Sequence, residues 1–291
     1  MDLLKTFLKK LATQDEQLRL LDVEKLLKDR MKNLTLTEFA KKYSINSGTL
    51  SHMLKGDRAI PINMIDLTNY KSKIIGIAKN CTIPIEIPRK FNYELSYLIG
   101  LLRDGTVNKD KEGECCCNFY SKDKEFLEKV GKLIKNLFNI PIKISSFGDV
   151  YGIRIRSKTM YLFFKLLFDI PQRQVDWQTP RLIKRANQNI KQAYISGFWD
   201  AEGGCPHIEK KIVKRKNIYV KFAQKNKESL EFIKNTLEKE GIKSGRIHWN
   251  ESKWILKIRI KDIPLFSSYI NPLHPKKQKR LEMLTKLLNT L

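Results

Sequence analysis

The stretch Ala193-Tyr-Ile-Ser-Gly-Phe-Trp-Asp-Ala-Glu-Gly-Gly204 joins an apolar helix directly to an acidic end and two glycines. Ile195, Phe198 and Trp199 recur at helical spacing and supply a buried face, while Gly197 lets another backbone approach closely. The pattern stops on Glu202, so a carboxylate is held at the tip of a packed rod. A second copy, Tyr97-Leu-Ile-Gly-Leu-Leu-Arg-Asp-Gly-Thr106, has its own internal glycine, Gly100, and ends on Asp104-Gly105. Two such helices packed through Gly100 and Gly197 put Asp104 and Glu202 side by side. Paired carboxylates of this kind hold divalent metal ions.

These two segments resemble the paired motifs of the LAGLIDADG homing endonucleases, in the two-motif, single-chain form found in archaeal introns and inteins. The similarity runs over roughly residues 94 to 270, and the second motif is the better match. The resemblance implies a site-specific endonuclease that hydrolyses both strands of duplex DNA, with Mg²⁺, or another divalent cation such as Mn²⁺, held by Asp104 and Glu202. It further implies basic and amide residues at the end of the second strand of each repeat, which order water and contact the scissile phosphate. Those positions are Gln224 and Lys225 in the second repeat and Ser121 and Lys122 in the first. One departure stands out: Gly197 and Glu202 are five residues apart, whereas Gly100 and Asp104 are four apart, with Arg103 where an acidic or small residue is expected. A missing helical residue shortens the rod by ~1.5 Å and rotates its end by about 100°. Asp104 is expected to stay close to the metal and Arg103 to offer a charge beside it; a nicking or inactive enzyme is the other outcome.

An internal repeat supports duplication. Ser121-Lys-Asp-Lys-Glu-Phe-Leu-Glu128 matches Gln224-Lys-Asn-Lys-Glu-Ser-Leu-Glu231 at an offset of 103, and the same offset pairs Ile155 with Ile258, Arg156 with Arg259, Lys158 with Lys261 and Phe163 with Phe266. Each repeat reads as motif helix, two strands, helix, two strands, helix: strands near 106 to 121 and 205 to 224, helices 122 to 138 and 226 to 240, strands near 140 to 157 and 243 to 261, helices 158 to 169 and 262 to 270. In the last strands Ile153 and Ile155 alternate with Arg154, Arg156 and Lys158, and Leu256, Ile258 and Ile260 alternate with Lys257, Arg259 and Lys261. One face of each sheet is therefore core and the other basic, with Lys221 on the polar face of its strand. Few acids interrupt these faces, which suits a surface laid along a phosphate backbone. The segment Lys210 to Lys216 adds a basic hairpin tip, and the final stretch is expected to be a closing helix with Leu281, Leu284, Leu287 and Leu288 inward.

Upstream, Phe39, Ala40 and Tyr43 form one short helix face, Ser44-Ile45-Asn46 a turn, and Leu50, Met53 and Leu54 a second face capped by Gly56. This resembles a helix-turn-helix of the repressor type, with Ser44 where the usual turn glycine stands. The resemblance implies that Ser47, Thr49, Ser51, His52 and Lys55 meet the major groove. Pro84 and Pro88 make residues 79 to 92 an extended connector. The expected fold class is α+β, a pseudo-symmetric duplicated αββαββα saddle preceded by a small all-α domain. The expected divisions are 1–78 (helix-turn-helix), 79–92 (linker), 93–170 (first repeat), 171–188 (linker) and 189–291 (second repeat with its closing helix).

The bulk numbers agree. Lys and Arg total 56 against 31 acids, a formal net charge of +25 that calls for a polyanionic partner. The basic residues are scattered over strands and loops, and no apolar run approaches the ~18 residues of a membrane span, so a membrane partner is not expected. The N-terminus is broken by lysines too early for a secretory segment, so the protein is expected in the cytoplasm, associated with the nucleoid. Cys81, Cys115, Cys116, Cys117 and Cys205 include no Cys-x-x-Cys, and neighbours on a strand face opposite ways, so they read as reduced structural residues. The partner is double-stranded DNA, bound by a monomer. Two alternatives stay open on the sequence: a catalytically lapsed DNA-binding regulator, and an RNA-splicing maturase that binds intron RNA with the same saddle. No splicing-junction residues at Met1 or Leu291 mark the chain as an intein.

Overall fold

The computed structural model describes residues 2–13, 19–21, 23–65, 77–78, 83–207 and 218–290. Cys81 and the basic hairpin tip at Lys210 to Lys216 lie outside the described residues, as does part of the expected connector. Helices α1 (Leu3–Ala12), α2 (Glu24–Arg30), α3 (Leu36–Lys42) and α4 (Ser47–Leu54) form the N-terminal region. Where the sequence suggests helices alone, the strands β1 (Arg19–Leu20), β2 (Ile60–Pro61) and β3 (Ile77–Ala78) add a small antiparallel sheet of order β2-β1-β3. Strands of two residues are too short to leave a periodicity. Helix α3 starts on a capping box in which Thr35 and Glu38 satisfy each other's backbone N–H groups. Ser44 in the α3–α4 turn has φ 52°, the left-handed region that a glycine would adopt without strain.

The duplicated body follows the expected order. The first repeat comprises α5 (Tyr93–Leu101), β4 (Thr106–Lys109), β5 (Cys115–Ser121), α6 (Lys124–Phe138), β6 (Ile144–Phe147), β7 (Val150–Arg156) and α7 (Lys158–Phe168). After the short α8 (Arg181–Lys184), the second comprises α9 (Gln188–Glu202), β8 (Gly203–Gly204), β9 (Val220–Gln224), α10 (Lys227–Lys239), β10 (His248–Asn250), β11 (Lys253–Ile258) and α11 (Ile263–Tyr269). A closing helix, α12 (Pro275–Asn289), buries Leu281 and Leu284 and half-buries Leu287 and Leu288. The sheets have equivalent antiparallel orders, β4-β5-β7-β6 and β8-β9-β11-β10. Their helices begin on matching caps: Asp123 accepts from Phe126 N at 3.2 Å, and Asn226 accepts from Ser229 N at 3.1 Å. The motif helices do likewise, Asn92 capping Leu95 N and Asn187 capping Ile190 N.

Both strand faces separate as the alternation requires. In the first sheet Ile153 and Ile155 pair with Phe119 and Cys117 on the core side, while Arg154 and Arg156 pair with Asn118 and Cys116 on the other. In the second, Phe222 and Leu256 face the core and Lys221 opposes Lys257 outside. The alternation ends sooner than the sequence suggests. Lys158 is the first residue of α7 behind its cap Ser157, and Lys261 lies in a 3-10 turn (Ile260–Asp262) preceded by Arg259, so none of the three continues a strand face. A side-chain cap or a tight turn ends a strand without breaking the apolar rhythm that follows it.

The core is continuous across the body. Phe138, Phe163, Phe164 and Phe168 pack edge to face in the first repeat, and Phe7 of α1 joins them at 5.6 Å from Phe163. Lys10 donates to the Leu166 carbonyl and Leu3 N to the Arg89 carbonyl, so α1 is docked on α7 and on the extended segment around Arg89. At the centre α5 and α9 lie backbone to backbone. A methyl group on Gly100 would stand 2.1 Å from the Tyr194 carbonyl oxygen, and one on Gly197 would stand 2.0 Å from that of Tyr97. Neither backbone can retreat without opening the core, so Gly197→Ala is expected to cost at least about 3 kcal/mol, the upper part of the overpacking range. Denaturant unfolding checks this, and an unchanged midpoint would mean that the helices do not meet there.

Candidate active site

Asp104 and Glu202 end the two central helices. Glu202 is the last residue of α9, its side chain 9% exposed, with Lys253 Nζ 3.4 Å from its Oε2. Asp104 closes a 3-10 turn (Leu102–Asp104) that continues α5. This turn answers the missing residue. A 3-10 turn rises about 2.0 Å per residue against ~1.5 Å in an α-helix, so three residues recover roughly the 1.5 Å that was lost, and their tighter winding recovers about 60° of the rotation. Asp104 therefore comes to rest close enough to Glu202 that its charge raises the Glu202 pKa.

Each carboxyl is held above the ordinary carboxylate range, chiefly by burial. Asp104 itself is exposed to solvent, so its upward shift, which comes from the protein packed around it, is smaller in effect than burial of the whole side chain would produce. Opposing the burial, Lys277 and Lys253 draw the Asp104 pKa down, and Lys253 and Lys277 do the same for Glu202. A cleft of about 190 Å³ opens beside Asp104, bounded by Tyr120, Ser121, Lys122, His274 and Lys277. His274 stacks on Phe126 at 4.6 Å, and burial, assisted by Lys277, pulls its pKa down to about 4, so it is neutral at pH 7.

Lys277, like Lys253, is a site residue that the sequence reading missed. It reaches back from α12 to donate to the carbonyls of Trp199 (3.0 Å), Asp200 (2.6 Å) and Gly203 (2.8 Å), capping the end of α9 immediately behind Glu202. Burial lowers its pKa, and Asp200, Asp104, Cys205 and Glu202 oppose that shift. In a run that reads Lys276-Lys277-Gln278-Lys279-Arg280 nothing marks it except spacing: it lies four residues before Leu281 and seven before Leu284, on the inward face. Asp200 completes the anchor. Its Oδ2 accepts from the Tyr97 hydroxyl, from Leu273 N at 2.7 Å and from His274 N at 3.2 Å, which ties both motif helices to the start of α12.

The other expected site residues are distributed unequally. Lys122 lines the cleft beside Asp104, and Lys225 is exposed at the end of β9. Gln224 shares the parity of Val220 and Phe222 and is 1% exposed; its Oε1 accepts from Lys225 N at 2.7 Å, and its amide nitrogen has no partner among the described residues. Its side chain thus lies on the buried face of the strand. Arg103 turns into the core, where the charge of Glu202 still opposes the lowering that burial imposes on its pKa. It is fully buried between the repeats, where it donates to the Tyr194 hydroxyl at 2.7 Å and to the Trp177 carbonyl, and lies over the rings of Trp177 (4.9 Å) and Phe198 (5.1 Å). The 3-10 turn rotates it inward, and hydrogen bonds and ring faces offset its desolvation.

On the basic faces Arg154, Arg156, Lys221 and Lys257 project outward, whereas Lys158, Arg259 and Lys261 belong to helix starts and turns. On α4, Ser47, His52 and Lys55 are exposed and Thr49 and Ser51 half-buried, while Leu50 and Met53 are buried. The cysteines Cys115, Cys116, Cys117 and Cys205 are free and buried.

Fold and site together define a class: a duplicated α+β saddle with two carboxylates at the helix ends between its sheets. Residues 189–270 match the family model described as a LAGLIDADG-like domain. Over 201 residues the chain is 32% identical to the homing endonuclease I-ApeI of Aeropyrum pernix, an alignment covering 66% of this chain and 87% of that one. Similar solved structures include I-DmoI in complex with DNA and calcium, at 22% identity and a TM-score of 0.49, covering 65% of this chain and 97% of that one. I-WcaI bound to its DNA recognition sequence is similar at 20% identity and a TM-score of 0.49, covering 65% and 85%. The chain belongs to the LAGLIDADG homing endonuclease family.

Lys277→Met keeps most of the side-chain volume but leaves three helix-end carbonyls without their charged donor. The expected cost is about 2 to 3 kcal/mol, the scale of one charge-assisted hydrogen bond lost in a buried place. With the positive charge gone, the Asp104 and Glu202 pKa values rise further, so the acid limb of divalent-cation binding should move to higher pH. Cation titrations across pH check the direction, and a limb that stays in place or moves to lower pH contradicts it.

Proposed function

We propose that this protein is a site-specific, divalent-cation-dependent endonuclease acting on double-stranded DNA. The observation that carries the reading is the convergence of Asp104 and Glu202, from two different helices, on the side where both sheets present basic residues. The donor set suits Mg²⁺: among the described residues no third His, Cys, Asp or Glu joins the pair, and this ion is commonly held by one or two carboxylates, with phosphates and water completing its shell. A bound Mg²⁺ or Mn²⁺ would supply Lewis acidity at the scissile phosphate and a more acidic water. The chain's own part is positional. The motif helices hold two carboxylates whose repulsion a cation relieves. Lys253 and Lys277 oppose the upward shift that burial imposes on them, and Lys122 and Lys225 place positive charge at the strand ends where a phosphate would lie.

Arg154, Arg156, Lys221 and Lys257 would follow the major groove on either side. The α3–α4 unit, with Ser47, Thr49, Ser51, His52 and Lys55, would extend the contact as a separate module within residues 1–78. Because the two repeats sit in one chain, a monomer suffices. The alternative of a lapsed regulator or an intron-RNA maturase drew on the short first motif, and the 3-10 turn that restores the reach of Asp104 counts against it.

Glu202→Gln tests the reading. With target-containing duplex and Mg²⁺, cleavage is expected to fall by at least about 100-fold, the scale on which loss of one charge-stabilising group acts. Stability should move the other way or not at all. A carboxyl whose folded pKa is raised disfavours the fold above that pKa, and this cost is relieved as pH falls through it, so at neutral pH the amide variant should melt no lower than the parent. Undiminished cleavage by the variant rules out the assigned site.

A further inference from the structure

The outward faces of the two sheets are not chemically equivalent. In the first, one carboxylate lies among the arginines: Glu114 Oε2 accepts from Arg154 Nη2 at 2.9 Å, and Glu114 Oε1 stands 3.2 Å from Arg156 Nε. Cys116 Sγ closes the group at 3.6 Å from both Arg154 Nη2 and Glu114 Oε2. In the second sheet the 103-residue offset puts Lys257 in the place of Arg154 and Arg259 in that of Arg156, but Arg259 has left the strand for the start of a 3-10 turn. The outward cross-strand pair that remains is Lys221 and Lys257, and neither has an acidic partner among the described residues. Lys221 instead lies over the Tyr219 ring at 5.3 Å.

The cluster does little for the fold, since exposed ion pairs contribute only about 0 to 1 kcal/mol. It is also costly for a surface that merely collects phosphates, because a fixed anion in the middle of it repels them and cancels part of the charge that releases counterions. What the carboxylate does provide is aim. Glu114 approaches Arg156 on the Nε side of its guanidinium, at 3.2 Å, and a carboxylate on that side directs the far edge, which carries the two terminal nitrogens, away from itself. Its side chain is 64% exposed. That is the donor pair that matches O6 and N7 of guanine in the major groove. Arg154, by contrast, spends a terminal nitrogen on both Glu114 and Cys116, so its outer edge is already engaged. A lysine is a point charge on a rotating stem and lacks this planar match.

We propose that Glu114 is a positioning residue that aims Arg156 at a guanine, so that the first repeat discriminates bases where the second, through Lys221 and Lys257, mainly binds the backbone. The inference rests on the proposed DNA-cleaving function and deepens it. The spacing along the strands adds a constraint. Arg156 and Gly152 are four residues apart on one face, about 13 Å, or roughly four base-pair steps, and Gly152 lies beneath the exposed rings of Tyr120 and Phe147 next to Asp104. The guanine should therefore lie about four base pairs outward from the step that meets those rings.

The test is selection of a random duplex library by the full-length protein without divalent cation, followed by cleavage of the enriched duplexes in Mg²⁺. The parent should enrich a consensus with a strongly fixed guanine in one half-site. Arg156→Lys keeps the charge and should relax that position about tenfold while leaving the rest of the consensus. Glu114→Gln should relax the same position yet bind random duplex more tightly and with a steeper salt dependence, which a merely structural role would not produce. Lys257→Ala should weaken binding evenly across sequences. A guanine that Arg156→Lys leaves fixed, an even loss across all positions in Glu114→Gln, or no consensus at all overturns the inference. A consensus relaxed as expected on duplexes that Mg²⁺ never causes to be cut sustains it and overturns the endonuclease reading instead.

Discussion

Everything in the body depends on the contact of α5 with α9 through Gly100 and Gly197. With carbonyl oxygens about 2 Å from where a methyl group would stand on each glycine, the separation of the helices is set by backbone atoms, which have no rotamers to adjust. That separation brings Asp104 and Glu202 together, and it leaves the sheets to extend from either side of one central seam. The same contact leaves no room for side chains to neutralise the two carboxylates from between the helices, so the compensating charge comes from outside, from Lys253 on a hairpin and Lys277 on the closing helix.

The closing helix is correspondingly more than a lid on the second repeat. Asp200 takes three hydrogen bonds, one from Tyr97 of the other motif helix and two from the turn that leads into α12, while Lys277 returns three to the end of α9. Both are desolvated there; Lys277 Nζ and Asp200 Oδ2 each have three partners, while Asp200 Oδ1 has none among the described residues, which leaves the aspartate the less well compensated of the two. They fix how α9 ends, and hence where Glu202 points.

Duplication did not leave two identical halves. Where the Glu202 side has Lys253 in salt-bridge range, the Asp104 side presents Tyr120 and Phe147 packed at 6.1 Å. Arg103, which replaces a small or acidic motif residue, is drawn into the core between the repeats, and the 3-10 turn that carries it there also restores the reach of Asp104. A one-residue shortening is thus largely offset by a change of helix type and a buried arginine, which keep the acidic end near Glu202.

Local chemistry on the chain was enough to read the two acid-tipped helices, the interior glycines, the 103-residue repeat and the alternation of Ile153 to Arg156 and Leu256 to Ile258. Each depends on periodicity or on what a glycine permits, and both are properties of neighbouring residues. The α+β duplicated fold follows from them. Which side chains finish the site was decided only in three dimensions. Lys277 is one lysine in a basic run, Lys253 one residue of a hairpin, and Glu114 one acid ahead of a strand; nothing adjacent in sequence distinguishes them. Their roles come from long-range packing: α12 folding back over α9, β11 lying beside β9, and β5 carrying Glu114 up to the arginines of β7. The burial of Gln224 and Arg103 was likewise decided there, because a strand's parity and a 3-10 turn's rotation are set by the sheet and helix they join, not by the residues themselves.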